Sequence, residues 1–209
     1  MNIDVYNEIK SLADKYVKIL QLHVNSRVEE MKSDDNSHYL VYRVLGVSDE
    51  EGNLIDLYQN KGRFLYKYAG AFLEEAAIIC MKHKYPGAEK VRIPNTLGIR
   101  PKTFEIDCLV GDLAHEIKWR DATTDGDHIT KEHTRVKVIK SKGYTPIRVM
   151  FYYPQRSQAQ RIQETLETLY VGIGGKYYYG DSAWTYINDF TGINLLEILE
   201  KIAEARETK

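Results

Sequence analysis

The chain has few of the features that mark secreted or membrane proteins. It contains only two cysteines, Cys80 and Cys108, and both lie in apolar stretches, which argues against a disulfide framework and favours buried free thiols. No apolar run approaches the ~20 residues needed to cross a bilayer, and the N-terminus has no apolar signal segment. These absences predict a cytoplasmic protein without membrane contact.

An excess of charge of one sign is also missing. The 29 basic and 30 acidic side chains give a formal net charge of −1, which is not typical of a nonspecific polyanion binder. The sequence is 43% hydrophobic and 28% charged, so global disorder is not expected. No repeat, low-complexity tract or clear linker divides the 209 residues. We therefore expect one domain over residues 1–209 with a substantial core.

Several common catalytic patterns are absent as well. His128 and His133 lie five positions apart, without a cysteine pair or an HExxH pattern, so no zinc spacing is present. The glycine run 172–175 lacks the Lys-Ser/Thr that follows a phosphate-binding loop. No nucleophilic triad stands out either. The remaining candidates for chemistry are carboxylates and a lysine in the middle of the chain.

The spacing of apolar residues predicts a helical start, a mixed middle and a helical end. Helices are expected over 3–31 and at about 62–83, 129–141, 156–170 and 193–206. The β-branched and aromatic residues of 39–47 predict a strand, which Glu51-Gly52-Asn53 would turn into a partner strand at 54–58. Further strands are expected at about 90–93, 104–110, 113–119 and 147–153. This order predicts an α/β fold with a mixed central sheet flanked by helices.

Asp107 and the pair Glu116 and Lys118 lie on two short apolar runs joined by the turn-forming segment 110–113. Side chains alternate along a strand, so Glu116 and Lys118 share one face. Antiparallel neighbours lie about 4.8 Å apart, which would bring Asp107 beside Glu116. The alternative is a surface hairpin with solvated side chains. The apolar residues that flank both acids favour a partly buried site.

These residue types suit the hydrolysis of a phosphodiester. Asp107 and Glu116 would be the principal ligands of Mg²⁺, with the backbone carbonyl of Ile117 as a third candidate. A divalent ion held there acidifies its water and offsets the charge on the phosphate. Lys118 could orient or help deprotonate the attacking water and stabilise the negative transition state. The pattern therefore predicts a nuclease.

The spacing of Asp107, Glu116 and Lys118 resembles the PD-(D/E)xK nuclease superfamily, and segment 116–128 resembles type II restriction endonucleases of the ApaLI-like family. The similarity extends from about residue 35 to 190. In one departure, Ile106 replaces the proline that the superfamily places before its first aspartate. The resemblance implies a restriction-endonuclease-like fold. In it we expect a helical segment over 1–33, a catalytic core over 60–155, and helices and a loop over 156–209.

The resemblance also implies an activity. It implies cleavage of double-stranded DNA with Mg²⁺, for which Mn²⁺ can substitute, by a homodimer at a palindromic site. Family members suggest the hexamer GTGCAC and ends with 5′-phosphate and 3′-hydroxyl groups. A bacterial cytoplasm and a cognate DNA methyltransferase would complete such a system. Two alternatives stay open: a repair or junction-resolving nuclease of the same superfamily, and a catalytically inactive DNA-binding protein.

Other site residues are less tightly specified. The superfamily tends to place a glutamate on the helix before the sheet, and both Glu74 and Glu75 are candidates. At ~100° per residue, Glu75 falls on the apolar face of the helix, so we assign the role to Glu75. The helices over 3–31 and 193–206 could form a dimer interface, although packing within one chain explains their pattern equally well.

DNA contact is predicted for the polar run after the catalytic strand and for the basic residues beyond it. The candidates are Arg120, Asp121, Thr123, Thr124, Asp125, Asp127, His128, Lys131 and Arg135. The basic cluster continues with Lys137, Lys140, Lys142 and Arg148, which could follow a phosphate backbone. The glycine-aromatic segment 172–180 is a second candidate. An ordered loop or a solvated helix face would account for these patterns too.

Overall fold

The structure is a computed structural model, and it describes residues 2–98, 100–120 and 126–207. Its elements are α1 (Ile3–Met31), α2 (Tyr39–Val44), α3 (Asp49–Lys84), β1 (Glu89–Pro94), β2 (Thr103–Val110), β3 (Leu113–Lys118), α4 (Gly126–Ser141), β4 (Thr145–Met150), α5 (Ser157–Gly172), β5 (Lys176–Tyr179), α6 (Asp181–Thr191) and α7 (Leu195–Glu207). None of the described helices has the length and apolar character that a membrane span requires.

The residues group into two compact units. One comprises Met1–Lys10 and Leu73–Lys209, and the other comprises Ser11–Phe72. The larger unit contains all five strands, and the smaller contains most of α1, all of α2 and the first two thirds of α3. The single domain expected over residues 1–209, with its subdivisions, stays a prediction.

A five-stranded mixed sheet in the order β1-β2-β3-β4-β5 forms the centre of the larger unit. The β1/β2 and β2/β3 pairs are antiparallel, and the β3/β4 and β4/β5 pairs are parallel. A two-residue turn joins β2 to β3, and its Gly111 has φ +60°, a left-handed conformation that favours glycine. Parallel neighbours require longer crossovers, which α4 and α5 supply. The predicted α/β fold with a mixed sheet flanked by helices is confirmed.

Helix α4 is fixed over the sheet by two apolar clusters. Its Val138 and Ile139 pack with residues of β1, β2 and β3, including Phe104 and Ile106. On its other side, Val136 packs with buried residues of α5 and β5: Ile162, Leu166, Tyr170 and Tyr177. The helix therefore holds its remaining side chains at a defined position above β3 and β4.

The two strands predicted at 39–47 and 54–58 are wrong. The first segment forms α2, and the second lies within α3, which begins at Asp49. The Ser48 side chain accepts a hydrogen bond of 3.1 Å from the amide of Glu51, and this cap starts α3. The β-branched and aromatic content of these segments therefore misled the sequence-based expectation.

Side-chain packing within the smaller unit explains why helix prevails here. Tyr39 and Tyr42 lie one helical turn apart and stack their rings at 5.3 Å, and the Tyr42 hydroxyl donates a 3.0 Å hydrogen bond to Asp56 of α3. Gly52, which was interpreted as part of a turn, lies inside α3. A Cβ there would come within 2.7 Å of the Tyr42 ring, so the glycine permits close packing.

In the glycine-aromatic segment 172–180, Lys176–Tyr179 form strand β5, and the segment ends just before α6 begins at Asp181. A Cβ on Gly175 would lie 2.5 Å from the Pro146 carbonyl, so this position requires glycine for close strand packing. Tyr177 is buried, Tyr178 stacks on Tyr186 with ring centroids 4.2 Å apart, and Tyr179 is 38% exposed. Tyr177 is therefore part of the protein core, and contact of this segment with DNA stays a prediction.

The prediction of buried free thiols is confirmed. Cys80 and Cys108 are both free and buried. Burial raises the pKa of the Cys80 thiol to about 12 and that of Cys108 to about 11. Because the thiolate is the reactive form, both side chains are chemically inert near neutral pH.

His115 of β3 is buried between the sheet and α6. Its Nδ1 lies 3.1 Å from the Cys108 carbonyl oxygen and its Nε2 lies 2.7 Å from the Tyr186 hydroxyl. Burial lowers the pKa of His115 to about 4. The ring is therefore neutral, with Nδ1–H donating to Cys108 and Nε2 accepting from Tyr186.

This buried histidine makes stability depend on pH. The unfolded chain takes up the proton near pH 6.5, whereas the folded chain takes it up only near pH 4, so stability falls as the pH drops through that window. Between pH 6 and 5 we expect the native chain to lose about 1 kcal/mol more of unfolding free energy than a His115→Gln variant. Urea unfolding at both pH values measures the difference. Equal pH slopes would contradict a neutral His115.

Candidate active site

Asp107 and Glu116 stand on neighbouring antiparallel strands. Cys108 pairs with His115, so the next positions along the ladder place Asp107 beside Glu116. Both carboxylates are buried, with Asp107 5% and Glu116 3% exposed. The alternative of a surface hairpin with solvated acids is therefore excluded.

Asp107 is held by the main chain of the next strand. Its Oδ2 accepts a 2.8 Å hydrogen bond from the amide of Ile117, and Nζ of Lys118 lies 3.7 Å from the same oxygen. Burial and then the charge of Glu116 raise the pKa of Asp107 well above its ordinary value. A carboxylate in these surroundings is stabilised by an additional cation.

Glu116 pairs with cations from two elements of the fold, β3 and α4. Its Oε1 lies 2.5 Å from Nζ of Lys118 and also forms an ion pair with the Arg135 guanidinium of α4. Burial acts to raise the pKa of Glu116, but Lys118, Arg135 and Arg148 outweigh it and lower that pKa, so the group is ionised. Its Oε2 is buried and has no hydrogen-bond partner among the described residues.

Lys118 is protonated in this state. Burial acts to lower its pKa, but the charges of Glu116 and Asp107 outweigh burial and raise it. Its side chain is 32% exposed, whereas both carboxylates are buried. Lys118 therefore acts here as a cation, and a role in proton removal requires that the two carboxylates first be neutralised.

Behind Glu116 lies a buried ion network that no local sequence pattern indicates. Glu132 of α4 is 3% exposed and Arg148 of β4 is 2% exposed, and Nη1 of Arg148 lies 3.3 Å from Oε1 of Glu132. The hydroxyl of Tyr170 donates a 2.6 Å hydrogen bond to the same oxygen. Nη1 of Arg135 lies 3.5 Å from Oε2 of Glu132, one turn along α4. The i,i+3 spacing was visible in the sequence, but the burial was not.

The expectation that Arg148 belongs to a DNA-contacting basic cluster is wrong, because its side chain is buried and its guanidinium pairs with Glu132. Lys131 is exposed on α4, and Arg135 is 15% exposed beside Glu116. Four of the candidates, Asp121, Thr123, Thr124 and Asp125, lie outside the described residues. Asp127 and His128 fall in the first turn of α4, where only the backbone is described.

Glu74 and Glu75 differ in their relation to the site. The Glu74 carboxylate lies 2.8 Å from Nζ of Lys90, and its charge is among those that raise the pKa of Asp107. The apolar face on which the helical periodicity places Glu75 is formed by Phe64, Tyr68 and Phe72, which belong to the other compact unit. The assignment of Glu75 stays a prediction, and Glu74 is a second candidate on structural grounds.

A cleft of about 560 Å³ opens beyond the ends of β3 and β4. It is lined by Trp119, Arg120, Tyr152, Tyr153, Pro154, Gln155 and Arg156. The Tyr152 amide donates to the Trp119 carbonyl at 2.9 Å, so the cleft starts directly after the strand that carries Lys118. Arginines and aromatic rings are the side chains that bind phosphates and stack on bases.

The carboxylates fit a divalent ion. Within the described part of the chain, no cluster of three or more His, Cys, Asp or Glu side chains has metal-binding geometry. Mg²⁺, however, keeps several waters and is often bound through only one or two carboxylates. The unpartnered Oε2 of Glu116 and the destabilised Asp107 carboxylate both favour a cation at this position.

Comparison with known proteins gives one match. The model of the family described as ApaLI-like restriction endonuclease matches residues 1–204. No curated protein and no solved structure matches the chain.

Proposed function

The chain belongs to the ApaLI-like restriction endonuclease family, and on that basis we propose that it is a type II enzyme cutting double-stranded DNA at a short palindrome. The observation that carries this proposal is the buried pair Asp107 and Glu116 with Lys118 at 2.5 Å from Glu116. Two buried acids and a cation are costly to maintain without a function. An inactive DNA-binding protein would have no need of them.

Asp107, Glu116 and the Ile117 carbonyl would hold Mg²⁺, or Mn²⁺ in its place. When bound, the ion would offset charge on the scissile phosphate and make a water molecule more acidic. The amide of Ile117 fixes the orientation of Asp107 through a 2.8 Å hydrogen bond. Lys118 contributes a positive charge that stabilises the developing negative charge on the phosphate.

Recognition of DNA is proposed for the exposed residues around the site. Arg120 and the cleft beyond β3 would receive part of the substrate, and Lys131 would contact a phosphate. Asp121, Thr123, Thr124, Asp125, Asp127 and His128 are retained as candidates for reading base edges. Arg135, also a predicted DNA contact, pairs with Glu116 and would meet a phosphate from beside the metal site.

Further details of the activity follow from the family. We propose a homodimer, because a two-fold symmetric assembly presents one site to each strand of a palindrome. The target GTGCAC, 5′-phosphate ends and a cognate methyltransferase are proposed on the same basis. Glu75, or Glu74 one position before it, would be the helix glutamate near the metal site.

Digestion of unmethylated plasmid DNA with Mg²⁺ and with EDTA tests the proposal. We expect discrete fragments with Mg²⁺ only, and sequencing of their ends should give GTGCAC and 5′-phosphates. A plasmid with this hexamer removed should stay intact. Smeared products would favour a repair or junction-resolving nuclease, and DNA binding without cleavage by folded protein would favour the inactive alternative.

A further inference from the structure

Six charged side chains of the site balance one another. Three acids, Asp107, Glu116 and Glu132, are connected by ion pairs to three cations, Lys118, Arg135 and Arg148. When all six groups are ionised, their formal charges sum to zero. An added divalent ion would leave an excess of positive charge in a buried site, which is unfavourable until phosphates enter.

Arg135 is the least expected member of this set. Its guanidinium pairs with Oε1 of Glu116, the proposed metal ligand. The positive charge of Arg135 therefore opposes the binding of a divalent ion to Glu116. It also has two other acceptors, Oε2 of Glu132 at 3.5 Å and the carbonyl of Glu105 at 2.7 Å. If it releases Glu116, Arg135 therefore keeps partners on α4 and β2.

We propose that Arg135 competes with the divalent ion for Glu116, so that the DNA-free site binds the ion weakly and DNA strengthens that binding. The inference rests on the proposed function. Entry of phosphates supplies the negative charge that the balanced set lacks, and it offers Arg135 an alternative partner. Its Nε is buried and has no acceptor among the described residues, so a guanidinium that turned towards an entering phosphate would gain a hydrogen bond that it lacks in the DNA-free site.

Glu132 is the positioning residue for Arg135. Its Oε1 is fixed from two other elements, by Arg148 of β4 and by the Tyr170 hydroxyl of α5. Its Oε2 is thereby directed to Arg135, one helical turn away. Glu132 draws the guanidinium away from Glu116 and so limits how strongly Arg135 opposes the ion.

Titration of the DNA-free protein with Mn²⁺ by calorimetry tests this role. We expect the Arg135→Gln variant to bind Mn²⁺ about 5-fold or more tightly than the native chain, because one competing cation is gone. A residue that only supported the fold would weaken metal binding when removed. The matched control is Lys137→Gln, which removes an exposed cation from the same helix and should leave the affinity within about 2-fold. Unchanged or weaker binding by Arg135→Gln would overturn the proposal.

A second pair of variants tests Glu132. Glu132→Gln should weaken Mn²⁺ binding several-fold, because Arg135 then relies more on Glu116, and it should have no effect in the Arg135→Gln background. If Glu132→Gln does not fold, Tyr170→Phe loosens the same carboxylate without changing charge and should shift the affinity in the same direction. An effect of equal size in both backgrounds would show that Glu132 does not act through Arg135.

The coupling to DNA has its own measurement. Because coupling between two ligands is reciprocal, Ca²⁺ should raise the affinity for a short GTGCAC duplex more in the native chain than in Arg135→Gln. Fluorescence anisotropy gives, for each protein, the ratio of the duplex affinities with and without Ca²⁺. Equal ratios in the native chain and in Arg135→Gln would overturn the coupling. If the native chain bound no ion with or without DNA, the proposed function itself would fail. A native chain that binds the ion, with Arg135→Gln unchanged, refutes only this inference.

Discussion

Replacing Lys118 with alanine is expected to slow DNA cleavage by about 10³-fold. Nζ of Lys118 lies 2.5 Å from Glu116 and 3.7 Å from Asp107, so the variant loses the cation that both orders these carboxylates and would face the phosphate. Single-turnover cleavage of plasmid DNA at saturating Mg²⁺ measures the chemical step apart from product release. The side chain is 32% exposed, so the variant should fold.

The control for this substitution is Lys84→Ala at the exposed end of α3, which belongs neither to the site nor to the predicted DNA contacts and should cleave at the native rate. Asp107→Asn should lose as much activity as Lys118→Ala, whereas Asp112→Asn in the exposed β2–β3 turn should lose none. These comparisons distinguish the loss of a site residue from the general effect of removing a charge. A folded Lys118→Ala protein that cuts within a few-fold of the native rate would contradict the proposed site.

Replacing Arg148 with methionine is expected to lower the free energy of unfolding by about 3–5 kcal/mol. Arg148 is 2% exposed and pairs with the equally buried Glu132, so its removal leaves a buried carboxylate with less compensation. For a chain of this length, each kcal/mol corresponds to a fall of about 2–4 °C in the thermal midpoint. Urea unfolding of the two proteins at pH 7 measures the difference.

The double variant Arg148→Met with Glu132→Gln separates lost charge pairing from lost packing. If the pairing dominates, the double variant should be less destabilised than the sum of its single variants by about 1–3 kcal/mol. Tyr170 and Arg135 also contact Glu132, so part of the loss in unfolding free energy remains in the single variants and in the double variant. A cost below about 1 kcal/mol for Arg148→Met would show that the buried pair contributes little.

Strands β2 and β3 were predictable because their signals are local. Alternation along these strands and the two-residue turn between them require only neighbouring residues, and both cover the predicted segments to within about one residue. Strand β4, by contrast, ends three residues before its predicted end, and neither β5 nor α6 was predicted. Segments 39–47 and 54–58 were misjudged for the opposite reason. There, the contact of Tyr42 with Gly52 and Asp56 overrides β propensity, and such contacts are not visible in composition.

Local patterns in the chain were sufficient to predict the fold class, the family resemblance and the grouping of Asp107, Glu116 and Lys118, since strand alternation and a short turn bring these residues together. The electrostatic state of these three side chains depends instead on the packing of the folded chain. Burial of both carboxylates and the approach of Arg135 from α4 depend on the packing of α4 between two apolar clusters. Arg148, which the sequence left among surface cations, became a buried partner of Glu132 because its strand is covered by α4 and α5. Charge and burial at this site are therefore properties of distant contacts, which no local pattern specifies.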